Sequence, residues 1–103
     1  MATITDYEIS AAAELDIEEV YQYGCEKYGH AFAIEYLEKL GKLFSELVNH
    51  PFMGKKRSEI KKELRNIPLG EYIVFYRLKE THVRIVRVLH HSKDLFTIKF
   101  FIP

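Results

Sequence analysis

Basic and histidine side chains gather in the last third of the chain, beside runs of β-branched and aromatic residues. Metal-free cleavage of RNA needs a base for the 2′-proton, cations for the phosphate and an acid for the leaving oxygen. His90 or His91 could serve as base or acid, with Arg65, Arg77 and Arg87 as phosphate ligands. A structural alternative stays open, in which Arg87 pairs with an acidic residue such as Asp94 and His90 caps the sheet.

Other chemistries are disfavoured by the spacing of the same residue types. Adjacent strand residues point to opposite faces, so His90 and His91 are not expected to share an ion, and we expect no metal site. The five glycines are scattered singly, which argues against a phosphate-binding loop, and no nucleophile elbow is present. Cys25 is alone, so neither an internal disulfide nor a cysteine cluster can form. We expect no cofactor.

The elements that must position these side chains follow from hydrophobic periodicity. The pattern predicts a strand at 3–9, helices at 11–28 and 31–48, and strands at 64–69, 72–79 and 83–90. Ser10 is placed as the N-cap of the first helix and Gly29 as the residue that ends it. The order β-α-α-β-β-β predicts an α+β, two-layer domain, with an N-terminal αα-hairpin packed on an antiparallel sheet. The 103 residues fit a single domain, 1–103.

Alternation within the last strand predicts which of its side chains face the helices. The helix-covered set is Arg84, Val86, Val88 and His90, and the opposite set is Val83, Ile85, Arg87 and Leu89. Because the second set has a charge at its centre, Arg87 is predicted to lie on an open, concave face. There it would remain solvated or hold a partner.

Charge is divided unevenly along the chain, although the net charge is zero. Residues 1–50 contain ten acidic side chains and three lysines, whereas residues 51–103 contain twelve Lys or Arg and five acidic side chains. The run 55–65 has six basic residues in eleven, which predicts either a solvated connection or an electropositive rim. No signal-peptide pattern and no apolar run of the roughly 20 residues that span a bilayer is found, so we expect a cytoplasmic protein without membrane contact.

A family resemblance rests on several short motifs in a fixed order. They are Ala13-x-x-Asp16-Ile-x-x-Val20, Tyr28-Gly29, Ala33-x-x-Tyr36-Leu37, Leu47-x-x-His-Pro51-x-x-Gly54, Leu64-Arg65, Ile73-Val-Phe-Tyr76-Arg77 and Ile85-Val-Arg-Val-Leu-His90-x-x-x-Asp94. Together they span about residues 5 to 96, and the chain resembles the ParE branch of the ParE/RelE toxin superfamily.

The resemblance implies a growth-inhibiting toxin of a type II toxin–antitoxin or plasmid-stabilisation system. ParE-like toxins inhibit DNA gyrase by direct binding and are not enzymes, and a ParD-like or related antitoxin neutralises them. RelE-like relatives instead cut mRNA on the ribosome, and the alternative here is such an endoribonuclease using Arg65, Arg77, Arg87 and His90. RelE-like nucleases often have a Lys-Asp-x-Tyr run at the end of their last strand. The matching run here is Lys93-Asp94-Leu95-Phe96, and its phenylalanine in place of tyrosine favours the gyrase reading. A non-toxic antitoxin-binding module is a third possibility.

The resemblance also implies two sets of contact residues. The expected target-binding residues are Arg65, Arg77, Arg87, His90, His91, Lys93, Asp94 and Phe96. The expected antitoxin-binding residues, all from the apolar stripes of the helices, are Ile17, Val20, Tyr21, Leu37, Leu40 and Phe44. The apolar tail 96–103 must pack on the domain, pair as an edge strand or be covered by a partner.

Overall fold

The computed structural model describes residues 3–103, which form a five-stranded sheet with helices on both faces. Its elements are β1 (Asp6–Ile9), α1 (Ala11–Tyr28), α2 (His30–Asn49), β2 (Lys55–Lys56), β3 (Arg65–Leu69), β4 (Tyr72–Leu78), β5 (His82–His90) and α3 (Leu95–Phe101). The strand order is β1-β5-β4-β3-β2, with β1 parallel to β5 and the other neighbours antiparallel. The predicted α+β class and helical hairpin are confirmed, while β2 and α3 are additional elements. The prediction of a wholly antiparallel sheet in two layers is wrong, because β1 pairs with β5 in parallel and α3 covers the second face. Within the described residues, every helix is too short or too polar to cross a membrane.

The helical hairpin begins and turns at the residues that the sequence indicates. The side chain of Ser10 accepts a hydrogen bond from the amide of Ala13 at 3.0 Å and caps α1. Gly29 separates the two helices with a φ of 98°, a conformation that favours glycine. At Gly24 the helices approach so closely that an added Cβ would lie 3.3 Å from that of Ala33. The hairpin is therefore closely packed and lies on the sheet as one layer.

Both faces of the sheet bury a hydrophobic cluster. The helix-side core consists of Ala13, Val20, Leu40, Leu43, Phe44, Leu47, Val74, Tyr76, Val83, Ile85 and Val88. The opposite cluster joins the sheet to α3 and to the segment before β3, and consists of Ile60, Leu64, Phe75, Val86, Leu89, Ile98 and Ile102. Of the three outcomes expected for the tail, packing on the domain is the one observed, because α3 inserts two isoleucines against the second face.

A β-bulge in β5 changes which of its side chains face the helices. Phe75 pairs with Arg87 and Tyr76 pairs with Ile85, so Val86 is an extra residue in the ladder. Beyond the bulge the predicted alternation is right, since Val88 lies in the helix-side core. Before it the prediction is wrong: Ile85 lies in the helix-side core, and Val86 itself lies in the opposite cluster. Val83 is likewise in the helix-side core.

The loop after α2 is fastened to the sheet by the buried hydroxyl of Tyr76. That hydroxyl accepts a hydrogen bond from the amide of Gly54 at 2.8 Å and donates one to the carbonyl of Pro51 at 2.9 Å. Burial raises the pKa of Tyr76, so the phenol retains the proton that it donates. Nη1 of Arg65 donates to the carbonyl oxygens of Gly54 at 2.7 Å and Phe52 at 3.3 Å. Hydrogen bonds to these two side chains of the sheet therefore fix residues 51–54 in place.

We expect Gly54→Ala to lower the free energy of unfolding by about 2 kcal/mol, because a forced overlap in a packed site must be relieved by backbone movement. The added Cβ would lie 2.5 Å from the hydroxyl of Tyr76 and 2.8 Å from the carbonyl oxygen of Asn66. Gly41→Ala is the matched control, since its Cβ would meet nothing within 4 Å on α2. It should raise the free energy of unfolding by about 0.5–1 kcal/mol. Urea unfolding measures both, and equal effects would contradict the close packing at Gly54.

Candidate functional site

The guanidinium of Arg87 is bound to the carboxylate of Asp16 on α1. Nε donates to Oδ2 and Nη2 to Oδ1, both at 2.7 Å, and the side chains are only 16% and 7% exposed. The hydrogen bonds to Asp16 raise the pKa of Arg87. The prediction of an open Arg87 is therefore wrong. The alternative of an ion pair is confirmed, but its acidic partner is Asp16, and Asp94 instead caps α3 by accepting from the amide of Thr97 at 2.7 Å.

Asp16 and Ser10 also complete the outer edge of β5, where β1 has ended. The hydroxyl of Ser10 donates to the carbonyl of Val86 at 2.8 Å, and the amide of Val88 donates to Oδ2 of Asp16 at 2.9 Å. Farther along, the amide of His91 bonds to Glu71 on the β4 side. Since neighbouring strand residues alternate in direction, the backbone of His90 points to the other side, along this outer edge.

A groove of about 820 Å³ runs along that edge, between α1, the second half of β5 and α3. We call it the α1–β5 groove. Of the predicted residues, Val20, Arg87, His90 and Lys93 contribute to its lining. The remaining lining residues are Ala12, Leu15, Asp16, Glu19, Tyr23, Tyr72, Val88, Leu89, Ser92 and Phe101. The groove thus combines apolar side chains with charges of both signs.

Glu71, which sequence reasoning missed, connects α1 to the end of β5. Its carboxylate accepts a hydrogen bond from the hydroxyl of Tyr28 and lies 3.6 Å from Nζ of Lys27 and 3.7 Å from Nε2 of His90. The hydrogen bond from Tyr28, followed by the charges of Lys27 and His90, lowers the pKa of Glu71 below its ordinary value of 4.5. A single glutamate in a turn has no sequence pattern that would identify it.

The imidazole of His90 is held on all sides rather than free. Nδ1 lies 3.1 Å from the amide of Ser92, which donates to it, and 2.8 Å from the serine hydroxyl. Tyr72 meets the ring edge-on at a centroid distance of 5.4 Å. His91 stacks on it at 4.5 Å, because β5 ends at His90 and strand alternation stops there. The argument that the two histidines point apart is therefore wrong, although no third metal-binding side chain joins them within residues 3–103.

The four residues proposed for a nuclease are not brought together. Arg77 pairs with Arg84 near the start of β5, whereas His90 lies at its end, a separation of about 20 Å at the usual rise per strand residue. Arg65 pairs with Tyr76, next to Arg77, so the side chains of the two arginines point to opposite faces. Each is also occupied: Arg65 binds loop carbonyls, and Nη2 of Arg77 donates to the carbonyl of Pro103 at 2.9 Å.

The residues expected to contact an antitoxin are mostly covered by the protein itself. Val20, Leu40 and Phe44 are buried in the helix-side core, so a partner could not reach them while the hairpin stays on the sheet. Ile17, Tyr21 and Leu37 are half-buried. The apolar side chains that do reach the surface of the hairpin lie beside the stripes, and are Leu15, Tyr23, Tyr28, Phe32 and Ile34. Only their departure from helical periodicity distinguishes them in the sequence.

The remaining expected contact residues lie on or next to α3. Phe96 is 78% exposed, and its ring lies 6.2 Å from that of Phe100, which is 82% exposed. His91 is exposed, and Nζ of Lys93 lies 4.8 Å from the ring centroid of Phe101. The structure thus gives α3 an exposed aromatic pair, and the ring of Phe101 at its end contacts a lysine.

Comparison with known proteins supplies the family. Residues 7–95 match the family described as the ParE toxin of type II toxin-antitoxin systems, parDE. The chain belongs to the ParE toxin family. The predicted ParE-like toxin of a type II toxin–antitoxin system is thereby confirmed. The match ends where α3 begins.

Individual ParE proteins resemble this chain over most of their length. Toxin ParE1 of Caulobacter vibrioides is 30% identical over 88 residues, or 85% of this chain and 91% of that toxin. Toxin ParE1 of Mycobacterium tuberculosis is 30% identical over 90 residues, or 86% of this chain and 92% of that toxin. A solved chain from the chromosomal ParDE TA system of P. aeruginosa superposes with a TM-score of 0.73 at 16% identity, covering 85% of this chain and 96% of the other. This last likeness concerns the fold alone.

Asp16→Asn should lower the free energy of unfolding by about 3 kcal/mol, because removing one charge of a buried pair leaves the other without compensation. The control is Glu35→Gln, whose partner Lys39 lies 3.9 Å away on the exposed surface of α2. That change should stay within about 0.5 kcal/mol, as is usual for an exposed pair. Urea denaturation at neutral pH measures both. A loss for Asp16→Asn no larger than for Glu35→Gln would contradict a stabilising role for the pair.

Stability should depend on pH through Glu71. Because its pKa is lower in the folded state, its contribution is complete above the ordinary value of 4.5 and is lost as pH falls through the folded value. We expect Glu71→Gln to be less stable than wild type at pH 7 and to approach it near pH 3. Tyr28→Phe removes the main cause of the shift and should weaken the same dependence. Urea midpoints measured at both pH values test this, and a constant difference would contradict it.

Proposed function

We propose that this ParE-family toxin inhibits DNA gyrase by direct binding in the bacterial cytoplasm, without catalysing a reaction, and that a cognate ParD-like antitoxin neutralises it. The observation that carries the non-enzymatic reading is the separation of the nuclease candidates, with Arg77 and His90 at opposite ends of the β4–β5 hairpin. Arg87 is neutralised by Asp16 and cannot act as a free phosphate ligand. Family membership supports the toxin class to which this mechanism belongs.

The surface of α3 has the features of a contact for a protein target. Large exposed apolar side chains that are held rigidly are typical of interface anchors, because little conformational entropy is lost when they bind. Phe96 and Phe100 project from a helix whose other side is anchored by Ile98 and Ile102. Nη1 of Arg87 donates to the carbonyl of Phe101 at 2.9 Å and fixes the end of that helix. Two further expected contact residues therefore act by positioning α3: Arg77, which binds Pro103, and Asp94, its N-cap.

The α1–β5 groove has the features of a site for the antitoxin. It presents the exposed side chains of Leu15 and Tyr23 together with the acidic Glu19 and the basic Lys93. A segment with an apolar face and mixed charges would satisfy both kinds of group. The carbonyl of His90 already accepts a hydrogen bond from the amide of Lys93 at 3.1 Å, so the backbone amide of His90 is the group that this edge offers to the segment. The solved chain of the same fold comes from a toxin–antitoxin system, which agrees with a partner of this kind.

Supercoiling of relaxed plasmid by gyrase, scored also for trapped DNA breaks, tests this function. We expect the purified chain to inhibit supercoiling, and Phe96→Ala combined with Phe100→Ala to weaken inhibition at least tenfold, the cost of about 1.4 kcal/mol of binding. That double variant should still bind the antitoxin. Leu15→Glu should do the reverse, retaining inhibition while losing neutralisation, because it places a charge in the apolar part of the groove.

Phe32→Ala is the matched control, since Phe32 is an exposed phenylalanine on the helical hairpin, away from α3. It should leave gyrase inhibition unchanged. Cleavage of ribosome-bound mRNA without any effect on gyrase would contradict the proposal and favour the endoribonuclease. Normal growth during overexpression without antitoxin would favour a non-toxic binding module.

A further inference from the structure

The segment 55–65 carries a local excess of positive charge in a chain of zero net charge. It contains six basic residues against Glu59 and Glu63. Four of its lysines have no carboxylate partner at ion-pair distance among residues 3–103: Lys55, Lys56, Lys61 and Lys62. Arg65 also lacks one in that part of the chain and is bound by neutral carbonyl groups. These charges are therefore available to an anion from outside.

Cations elsewhere in the sheet and in the helical hairpin are largely neutralised by the protein. Arg84 pairs with Glu8, Arg87 with Asp16, Lys27 with Glu71 and Lys39 with Glu35. Among residues 3–103, lysines without a carboxylate partner are densest in the segment 55–65, whereas the others are scattered along the chain: Lys42, Lys79, Lys93 and Lys99.

An exposed aromatic ring lies within this surface. Phe52 is 71% exposed, although the loop that carries it is fixed by Tyr76 and by Arg65. The guanidinium of Arg65 lies 5.0 Å from the ring centroid. The loop carbonyls and Gly54 bond inward, so the phenyl ring is held outward instead of folding onto the core. Lys56 pairs with Arg65 across the β2–β3 ladder. We call Phe52, Lys56 and Arg65 the Phe52 surface.

A shallow pocket of about 300 Å³ opens beside this ring. It is lined by Phe52, Lys56, Ser58, Glu63, Arg65 and Leu78. An exposed aromatic ring next to a lysine and an arginine is the arrangement by which proteins hold single-stranded nucleic acid, with a base stacked on the ring and phosphates on the cations.

We propose that the Phe52 surface binds single-stranded nucleic acid. This goes beyond the proposed function, because it assigns a second ligand to a surface at the opposite end of the sheet from the α1–β5 groove. Lysines on an edge strand also prevent sheets from pairing, which would explain Lys55 and Lys56 on β2. Edge protection does not explain an outward-facing phenylalanine under the guanidinium of Arg65, whereas a stacked base with neighbouring phosphates explains both the ring and the cations beside it.

Fluorescence anisotropy of labelled twelve-nucleotide oligo(dT) and oligo(U) tests the proposal with the whole purified chain. We expect binding at low salt that weakens as salt is raised. Lys56→Gln should reduce the slope of log affinity against log salt by about 0.7, the value for one phosphate contact on a single strand. Phe52→Ala should weaken binding about tenfold through lost stacking, with the salt slope retained.

Lys42→Gln is the matched control, since it removes one charge from an exposed position on α2. It should leave affinity and slope unchanged, and thermal unfolding should show that all variants are folded. A preference between the two oligonucleotides identifies DNA or RNA as the source. Failure to bind either one would overturn the proposal, as would an equal loss in the control, or equally tight binding of a Glu-rich peptide. Gyrase inhibition is measured separately, so either conclusion can fail alone.

Discussion

The contact between Asp16 and Arg87 is the interaction on which the rest of the structure depends. One carboxylate neutralises a guanidinium that lies largely out of solvent and also accepts the amide of Val88. It therefore joins the first helix to the sheet at the place where β1 can no longer do so. The same guanidinium binds the end of α3, which couples the helical hairpin to the opposite face of the sheet. Side-chain packing alone would leave this polar edge of β5 unsatisfied.

The bulge at Val86 gives that contact its geometry. An extra residue in an antiparallel ladder bends the strand and redirects the side chains next to it. Here Ile85 before the bulge and Val88 after it face the same helix-side core, and Val86 faces the opposite cluster. Arg87 reaches around the edge of the strand to Asp16. The sheet can consequently be covered on both faces, with a groove remaining at its edge. The same bulge therefore shapes both the packing of the sheet and the groove at its edge.

Local signals were sufficient to predict the helical hairpin and the main strands. The contacts between residues far apart in the sequence could not be predicted in this way. Ser10, Gly29 and the stripe of α2 act within a few residues, so the ends of the hairpin could be read from the sequence. The face of Arg87 could not, because a bulge has no pattern of its own and shifts the phase of a whole strand. The tail was ambiguous, since five of the seven residues from Phe96 to Ile102 are apolar and the run fits a strand as well as a helix. The exposed aromatic residues of the hairpin were missed because a stripe search selects for the core.

The parallel pairing of β1 with β5 has a consequence for how the chain folds. The hydroxyl of Ser10 bonds to a residue 76 positions later, so the edge of the sheet closes only when the two halves of the chain meet. The entropy of closing so long a loop must be offset before these contacts form, which slows folding relative to a chain with local contacts only. The helical hairpin and the β3–β4–β5 meander can each form from nearby residues. We therefore expect β1, Asp16 and the α1–β5 groove to be completed in the same late step.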